Sequence, residues 1–228
     1  MEQIKLTILI PALNEEETIG ICIEKAKRFI TQNNIEAEIL IANNNSTDKT
    51  EEIAKKLETR VINVTEKGYG AALIEGTKKA KGKYVIMGDA DDSYNFLEIK
   101  AFLEELEKGY DFVIGNRLKG KIEKGAMPFL HRYIGTPILS LLISKKYKTK
   151  IGDINCGLRG YNKEKIEKLN CKCEGMEYAS EMIIKSAKSN LKIKEIPINF
   201  YKDKRKRKPH LNTIRDGIRH LKVILESK

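Results

Sequence analysis

Apolar and polar positions alternate along the first half of the chain in a regular rhythm. Residues 4–10 (IKLTILI) form an apolar run that stops at Pro11, which predicts a first strand. Between Glu15 and Ile30 the apolar residues Ile19, Ile23, Ala26 and Ile30 recur at helical spacing. Residues 37–42 (AEILIA) predict a second strand, after which Ser46 and Thr47 offer caps for a helix running through Leu57. Residues 60–64 predict a third strand, Tyr69 to Ala80 a helix, and Tyr84 to Met87 a fourth strand. Phe96 to Glu107 follows as a helix with Phe102, Leu103 and Leu106 facing inward, and Asp111 to Ile114 as a fifth strand. Strands and helices at this βαβ spacing predict an α/β fold: a mostly parallel central sheet with helices on both faces.

After residue 118 the rhythm breaks. Residues 119–128 (KGKIEKGAMP) read as a loop, and Leu130 to Lys145 as a helix with an apolar face and a basic start, His131-Arg132. Residues 152–162 suggest a strand flanked by polar turns, Met176 to Ser189 a helix, and Lys192 to Ile198 a strand. Asn212 to Ser227 reads as a helix with Ile214, Ile218, Leu221 and Leu225 on one face. No internal repeat or second boundary shows, so the expectation is one domain over residues 1–228.

Composition adds a core and a charge. The chain has 228 residues, 41% hydrophobic, enough for a sizeable core. Lys and Arg number 43 against 32 Asp and Glu, a net charge of +11 that favours polyanions: nucleotides, nucleic acid or an anionic membrane surface. Of the four cysteines, Cys171 and Cys173 are separated by a single residue, unlike a zinc pair, so free thiols in a reducing cytosol are expected. No secretory signal opens the chain, and the longest mostly apolar stretch, Ile134 to Ser144, is too short to span a bilayer. The expected place is the cytoplasm.

The candidate chemistry gathers where the predicted strands end. Pro11 to Glu15, Asn43 to Asp48, Lys67 to Gly70, Asp89 to Asp92 and Asn116-Arg117 all follow strands, and ligands of parallel sheets bind beyond the strands' carboxyl ends. The densest cluster is GDADDS, with Asp89, Asp91 and Asp92 within four residues. These carboxylates repel one another. A divalent cation holding a substrate diphosphate would relieve that repulsion; the alternative is an acidic turn in which Asp92 or Ser93 caps the next helix. Gly68 and Gly70 would let backbone approach a ligand closely, or simply make a turn. Neither a P-loop nor a complete dinucleotide fingerprint occurs. Arg117 could grip a phosphate or pair with a neighbouring acid. Asp153 and Glu181 are candidate general bases, set against the ordinary case of a solvated carboxylate. The run KDKRKRKPH (202–210) would bind phosphates, a bilayer or RNA, or stay solvated. The last helix, amphipathic and cationic, suits a membrane interface or packing on the core.

Eight segments occur in an order that resembles family 2 glycosyltransferases: PALNEEETI, NNNSTDKT, GYGAAL, GDADD, GNR, HRYIG, DINCGLRGY and MEYASEM. The likeness runs from about residue 6 to 225 and is greatest to the branch making dolichyl- or undecaprenyl-phosphate sugars. It implies the GT-A fold, a donor half over residues 1–118 and an acceptor half over 119–228. Pro11, Ala12, Asn14 and Glu15 would cradle the donor's nucleoside, and Asn43 stands where relatives carry a base-binding Asp. Asp89, Ala90 and Asp91 would face the donor, with Asp89 and Asp91 holding Mg²⁺ or Mn²⁺. Ser93 stands where mannosyl relatives often have Gln. Arg117 and Arg132 would bind donor or acceptor phosphate. Arg205 or Arg207 would do so near the C-terminus, with His210 where relatives have Lys.

The implied reaction is inverting transfer of a hexose, from a UDP-glucose-like or GDP-mannose-like donor to a polyprenyl phosphate at a membrane surface. An ionised acceptor needs no strong base; a sugar-hydroxyl acceptor would make Asp153 or Glu181 essential. Two other classes stay in view. A nucleotidyltransferase would release pyrophosphate, and a basic nucleic-acid-binding protein would bind RNA or DNA in a salt-sensitive, metal-independent way. Few aromatics accompany the basic run, so nucleic acid is not the expected partner.

Overall fold

The first apolar run folds as β1 (Leu6–Ala12), buried at all seven residues, in a computed structural model that describes residues 4–206 and 213–227. Burial at every position, rather than every second one, means that the sheet is covered on both faces there. β1 pairs in parallel with β2 (Ala37–Asn43) on one side and β4 (Tyr84–Met87) on the other. β3 (Arg60–Asn63) continues in parallel beyond β2. Helices α1 (Ile19–Asn33), α2 (Thr50–Lys56) and α3 (Tyr69–Lys79) make the crossovers. The chain thus steps outward from β1 and returns on its other side, which leaves a crevice beyond the carboxyl ends of β1, β2 and β4.

Helix starts differ from the sequence reading for local reasons. α1 begins at Ile19 rather than near Glu15 because Asn14 is left-handed (φ 56°) and the Glu15 N–H donates to Thr50 Oγ1 at 2.7 Å. α2 begins at Thr50: the Asp48 carboxylate accepts the Thr50 N–H at 2.9 Å, while Ser46 and Thr47 bond to Asn14. After β4, a 3₁₀ turn (Phe96–Glu98) precedes α4 (Lys100–Glu107), and its cap is Asn95, not Asp92 or Ser93.

The sheet has seven strands in the order β3-β2-β1-β4-β6-β5-β7, with β5 at Phe112–Asn116 and β7 at Ile193–Pro197. It is mostly parallel, as expected, except that β6 (Arg159–Asn162) lies antiparallel between β4 and β5. The strand read over residues 152–162 is confined to its last four because the residues before it wrap around Arg159. That side chain is fully buried and donates to the carbonyls of Cys156 (2.8 Å), Ile154 (2.6 Å) and Ala179 (2.8 Å). The short helix α6 (Lys163–Lys168), which the periodicity does not announce, is capped by the Asn162 side chain. The expected helix from residue 130 starts as a π turn (His131–Gly135) and continues as α5 (Thr136–Tyr147); α7 (Tyr178–Lys188) packs near it.

α8 (Thr213–Glu226) reverses the usual arrangement. The side it turns to α7 and α5 carries Asp216, His220 and Ile224, all buried, whereas Ile218, Leu221 and Leu225 are exposed. All four cysteines are free thiols. Among the described residues, no helix is long and apolar enough to cross a membrane. Arg207 and His210 lie outside the described residues.

Candidate active site

The strand β4 delivers its acids to the crevice. The Tyr69 hydroxyl, at the start of α3, donates to Asp89 Oδ1 at 2.8 Å. Burial and the adjacent charge of Asp91 push the Asp89 carboxyl up to about 6. Tyr69, half-buried beside Asp89, is pushed well above the usual phenol range by desolvation and by that carboxylate, and so remains a donor. Asp91 Oδ1 accepts from the Ser93 N–H (3.0 Å) and hydroxyl (2.6 Å), and its Oδ2 accepts from Arg205 Nη2 at 3.0 Å. Asp92 takes no part in this: it is left-handed (φ 60°), buried, and bound by the Lys25 and Lys204 ammoniums.

Arg205 joins three distant parts of the chain. Residues 201–206 cross the site as a strap, with Tyr201 N–H donating to Ser93 O and Lys204 N–H to Asp91 O. The Arg205 guanidinium reaches Asp91 and also Glu15 Oε1, at 3.1 Å, just beyond β1. Asp203 holds it in place with Oδ1 and Oδ2 each 2.9 Å from Nε. Sequence reasoning missed Asp203 and Tyr69. The signal for Asp203 is its position as the sole carboxylate in a cationic run, and Tyr69 was overlooked between two more conspicuous glycines.

The expected donor cradle is rigid. Pro11 and Ala12 are the last residues of β1, in register with Ala42 and Asn43. Asn14 Oδ1 accepts the Thr47 N–H at 2.7 Å and so ties the loop after β1 to the loop after β2. Asn43 is buried, its amide donating to Asn63 (2.8 Å) and Glu51 (3.2 Å) and its carbonyl accepting from Ser46 N–H. Ala90 is buried, its carbonyl facing the Cys22 thiol. Gly68 and Gly70 have a different reason from the expected one. A Cβ on either would lie 2.1 Å from a backbone oxygen, Glu174 O or Cys173 O respectively. They admit the 173–175 loop rather than a ligand.

Three further expectations are corrected by geometry. Asp153 is fully buried and its carboxylate accepts from Arg117 three times: from the backbone N–H (3.0 Å), Nε (2.7 Å) and Nη2 (2.7 Å). It anchors an arginine and has no exposed edge for a general base. Arg117, for its part, is buried in this fork and stacked against Phe200, 5.1 Å from the ring centre, instead of reaching outward for a phosphate. Its charge still reaches the site, since it acts to lower the Asp89 carboxyl against the larger effect of burial. Burial alone would raise the Glu181 carboxyl, but the Lys185 ammonium and the N–H groups of Cys173 and Lys172 outweigh it and hold it below the usual range. Glu181 therefore anchors the loop that covers Gly68 and Gly70. Arg132 is half-buried on the π turn, against the Tyr133 ring. Its neighbour His131 is shifted down by burial and by Arg117, which places that turn beside the Arg117 charge.

The donor set at β4 fits a hard divalent cation. Among the described residues no three His, Cys, Asp or Glu side chains converge to hold a metal by themselves. Asp89 and Asp91 supply two carboxylates, the number that suits Mg²⁺ or Mn²⁺ completed by phosphate oxygens and water. Burial first, and then the adjacent Asp91 charge, disfavour the ionised Asp89 carboxyl, and Arg205 stands as a cation against Asp91.

A family model described as glycosyl transferase family 2 matches residues 7–169. The low-salt glycan biosynthesis hexosyltransferase Agl6 of Haloferax volcanii is 37% identical over 96% of this chain, which spans about half (53%) of that relative's length. A dolichyl-phosphate hexose transferase of the same organism is 31% identical over 86% of this chain and 82% of its own. Among solved structures, glucosyl-3-phosphoglycerate synthase from Mycobacterium tuberculosis, in complex with Mn²⁺, uridine diphosphate and glucosyl-3-phosphoglycerate, aligns with a TM-score of 0.75. It is 19% identical, and the alignment covers 98% of this chain and 79% of that one. The likeness shows a shared fold, that of GT-A glycosyltransferases.

Proposed function

Because the chain belongs to glycosyltransferase family 2, we propose that it transfers a hexose from a nucleotide-sugar to a polyprenyl (dolichyl) phosphate, with inversion at the anomeric carbon. The observation that carries this reading is the pair Asp89 and Asp91 at the end of β4, with Asp89 pushed up to about 6 by burial and its neighbour's charge. The site calls for positive charge where the donor diphosphate would lie. The relative that acts as a dolichyl-phosphate hexose transferase supports the acceptor class, and the Mn²⁺- and UDP-bound neighbour supports a nucleotide-sugar donor.

In this mechanism Asp89 and Asp91 would hold Mg²⁺ or Mn²⁺, which would supply charge neutralisation for the departing nucleoside diphosphate. Tyr69 keeps Asp89 oriented. Arg205 exchanges its Asp91 and Glu15 partners for diphosphate oxygens while Asp203 keeps hold of Nε. Pro11, Ala12, Asn14, Glu15 and Asn43 form the rigid wall against the nucleoside. The acceptor phosphate, already ionised, attacks without a base, and Arg132 steers it from the π turn. This fits a site whose two candidate bases, Asp153 and Glu181, are both committed to structural hydrogen bonds. The donor half is assigned to residues 1–118 and the acceptor half to 119–228, working on the cytoplasmic face of a membrane. The nucleotidyltransferase alternative gives way to the family match.

The test is a matrix of nucleotide-sugars against polyprenyl phosphates and sugar acceptors, with and without chelator. Turnover of a lipid phosphate that stops on chelation is the expected result. Turnover of a sugar hydroxyl alone would replace this reading with glycan elongation.

A further inference from the structure

Amphipathic helices ordinarily turn the apolar stripe to the core. α8 does the reverse. Its inward side is held by a 2.7 Å hydrogen bond between His220 Nδ1 and Ser180 Oγ on α7, while Ile218 and Leu225 are each 61% exposed. The segment leading into α5, and α5 itself, do the same: Phe129 is 70% exposed, Tyr133 57% and Leu141 66%. The two helices meet at their C-terminal ends, where Lys146 Nζ and the Tyr147 hydroxyl both donate to Ile224 O at 2.8 Å. The outward apolar side chains therefore belong to adjoining helices, and exposed apolar surface of this extent marks an interaction site.

Charge selects the occupant. Residues 125–152 contain no Asp or Glu, but do contain Arg132, Lys145, Lys146, Lys148 and Lys150. The exposed side of α8 adds Arg219 and Lys222. Two copies of such a face would bring cations against cations in a two-fold interface. An anionic bilayer instead offers both an apolar layer and opposite charge. We propose that the outward face of α5 and α8 docks this protein into the surface of an anionic bilayer, lying in the interface without crossing it. The proposal rests on the reading that the acceptor is a membrane lipid. Docked this way, the π turn that carries Arg132 lies at the lipid surface, within reach of a lipid phosphate. Of the two helices, α5 lies within the residues matched by the family model and α8 beyond them.

The experiment is sedimentation of the full chain with phosphatidylglycerol–phosphatidylcholine vesicles and with phosphatidylcholine vesicles, for the wild type, Leu141→Glu/Leu225→Glu and the control Ile21→Glu. Ile21 is an exposed apolar residue on α1. The wild type and control should bind the anionic vesicles, more weakly at high salt, and the double variant should bind at least about tenfold more weakly. Transfer to a short, water-soluble isoprenyl phosphate, with melting as a check on folding, should be the same in all three. Equal vesicle binding by wild type and double variant overturns the proposal. So does a wild type that ignores anionic vesicles, or a double variant that only turns a dimer into a monomer. If vesicle binding depends on Leu141 and Leu225 while no isoprenyl phosphate is ever glycosylated, the docking face stands and the acceptor assignment falls.

Discussion

Arg205 Nη2 lies 3.0 Å from Asp91 Oδ2, across 114 residues of chain. In the proposed reaction a divalent cation and a diphosphate would share the ground this guanidinium occupies, and donor binding would displace it from the carboxylate. Asp203, two residues away, gives it a second anchor that survives the exchange. Removing the guanidinium should therefore have opposite effects on two measurements. Arg205→Ala should bind Mn²⁺ roughly tenfold more tightly in the absence of donor, because one like charge at contact distance is gone. Its turnover should fall about a hundredfold, because a charge-assisted contact to the leaving group is lost. Mn²⁺ titration followed by electron paramagnetic resonance, beside steady-state rates, checks both. Unchanged Mn²⁺ affinity would mean that Arg205 and the cation do not compete.

Asp91→Asn keeps the side chain's shape and its acceptor for Ser93 while removing the charge. Calorimetry with a nucleotide-sugar should show that Mn²⁺ no longer strengthens donor binding, and turnover should drop by about two to three orders of magnitude. Asp91 is only half-buried, so the melting temperature should hardly move. Donor binding that still responds to Mn²⁺ in this variant would remove Asp91 from the metal site.

Asp153 makes the opposite forecast. Its carboxylate is sealed around Arg117, and taking it away leaves a buried guanidinium without its counter-charge. Asp153→Ala should cost about 3–5 kcal/mol, a fall in melting temperature of roughly 10 °C for a domain of this size. Asp153→Asn, which keeps an acceptor, should lose less. Where Asp153→Asn remains folded, its pH–rate profile should keep the wild-type shape. Loss of one limb of that profile would restore Asp153 as a base.

These contrasts show what the chain's pattern made legible. β1 to β5 and the crevice at their ends followed from periodicity, because each strand is built on a short, mostly apolar run and each crossover is a helix. The acids at the end of β4 were readable because they follow such a run directly. Pairings between remote side chains were not. Arg117 could be read as a phosphate ligand or as half of an ion pair, and only the 36-residue separation closed by the fold decides for Asp153. Gly68 and Gly70 resembled a ligand loop because a glycine records close approach without recording what approaches; here it is the backbone at Cys173 and Glu174. For α8 the periodicity marked the apolar face but not the way it turns, toward the core or outward, and only the fold shows Ile218, Leu221 and Leu225 exposed.

His220 gives the last prediction, on stability. Burial, reinforced by the Arg159 charge and only partly countered by Asp216, lowers its imidazole to about 4. The unfolded chain takes up that proton near pH 6.5 and the folded chain only near 4. Between these values the unfolded state binds more protons, so this residue's contribution to stability is intact above pH 6.5 and is lost as the pH falls toward 4, by roughly 3 kcal/mol. Asp89 works the other way in the same window. Its folded carboxyl titrates at about 6 instead of 3.8, so acid stabilises the fold through it. The wild-type curve alone thus conceals the histidine, and the difference between wild type and His220→Gln isolates it. The glutamine keeps a polar partner for Ser180 but does not titrate. Urea unfolding at pH 7 and at pH 4.5 should show the variant losing less stability on acidification than the wild type. Parallel losses would mean that burial does not keep His220 neutral in the folded protein.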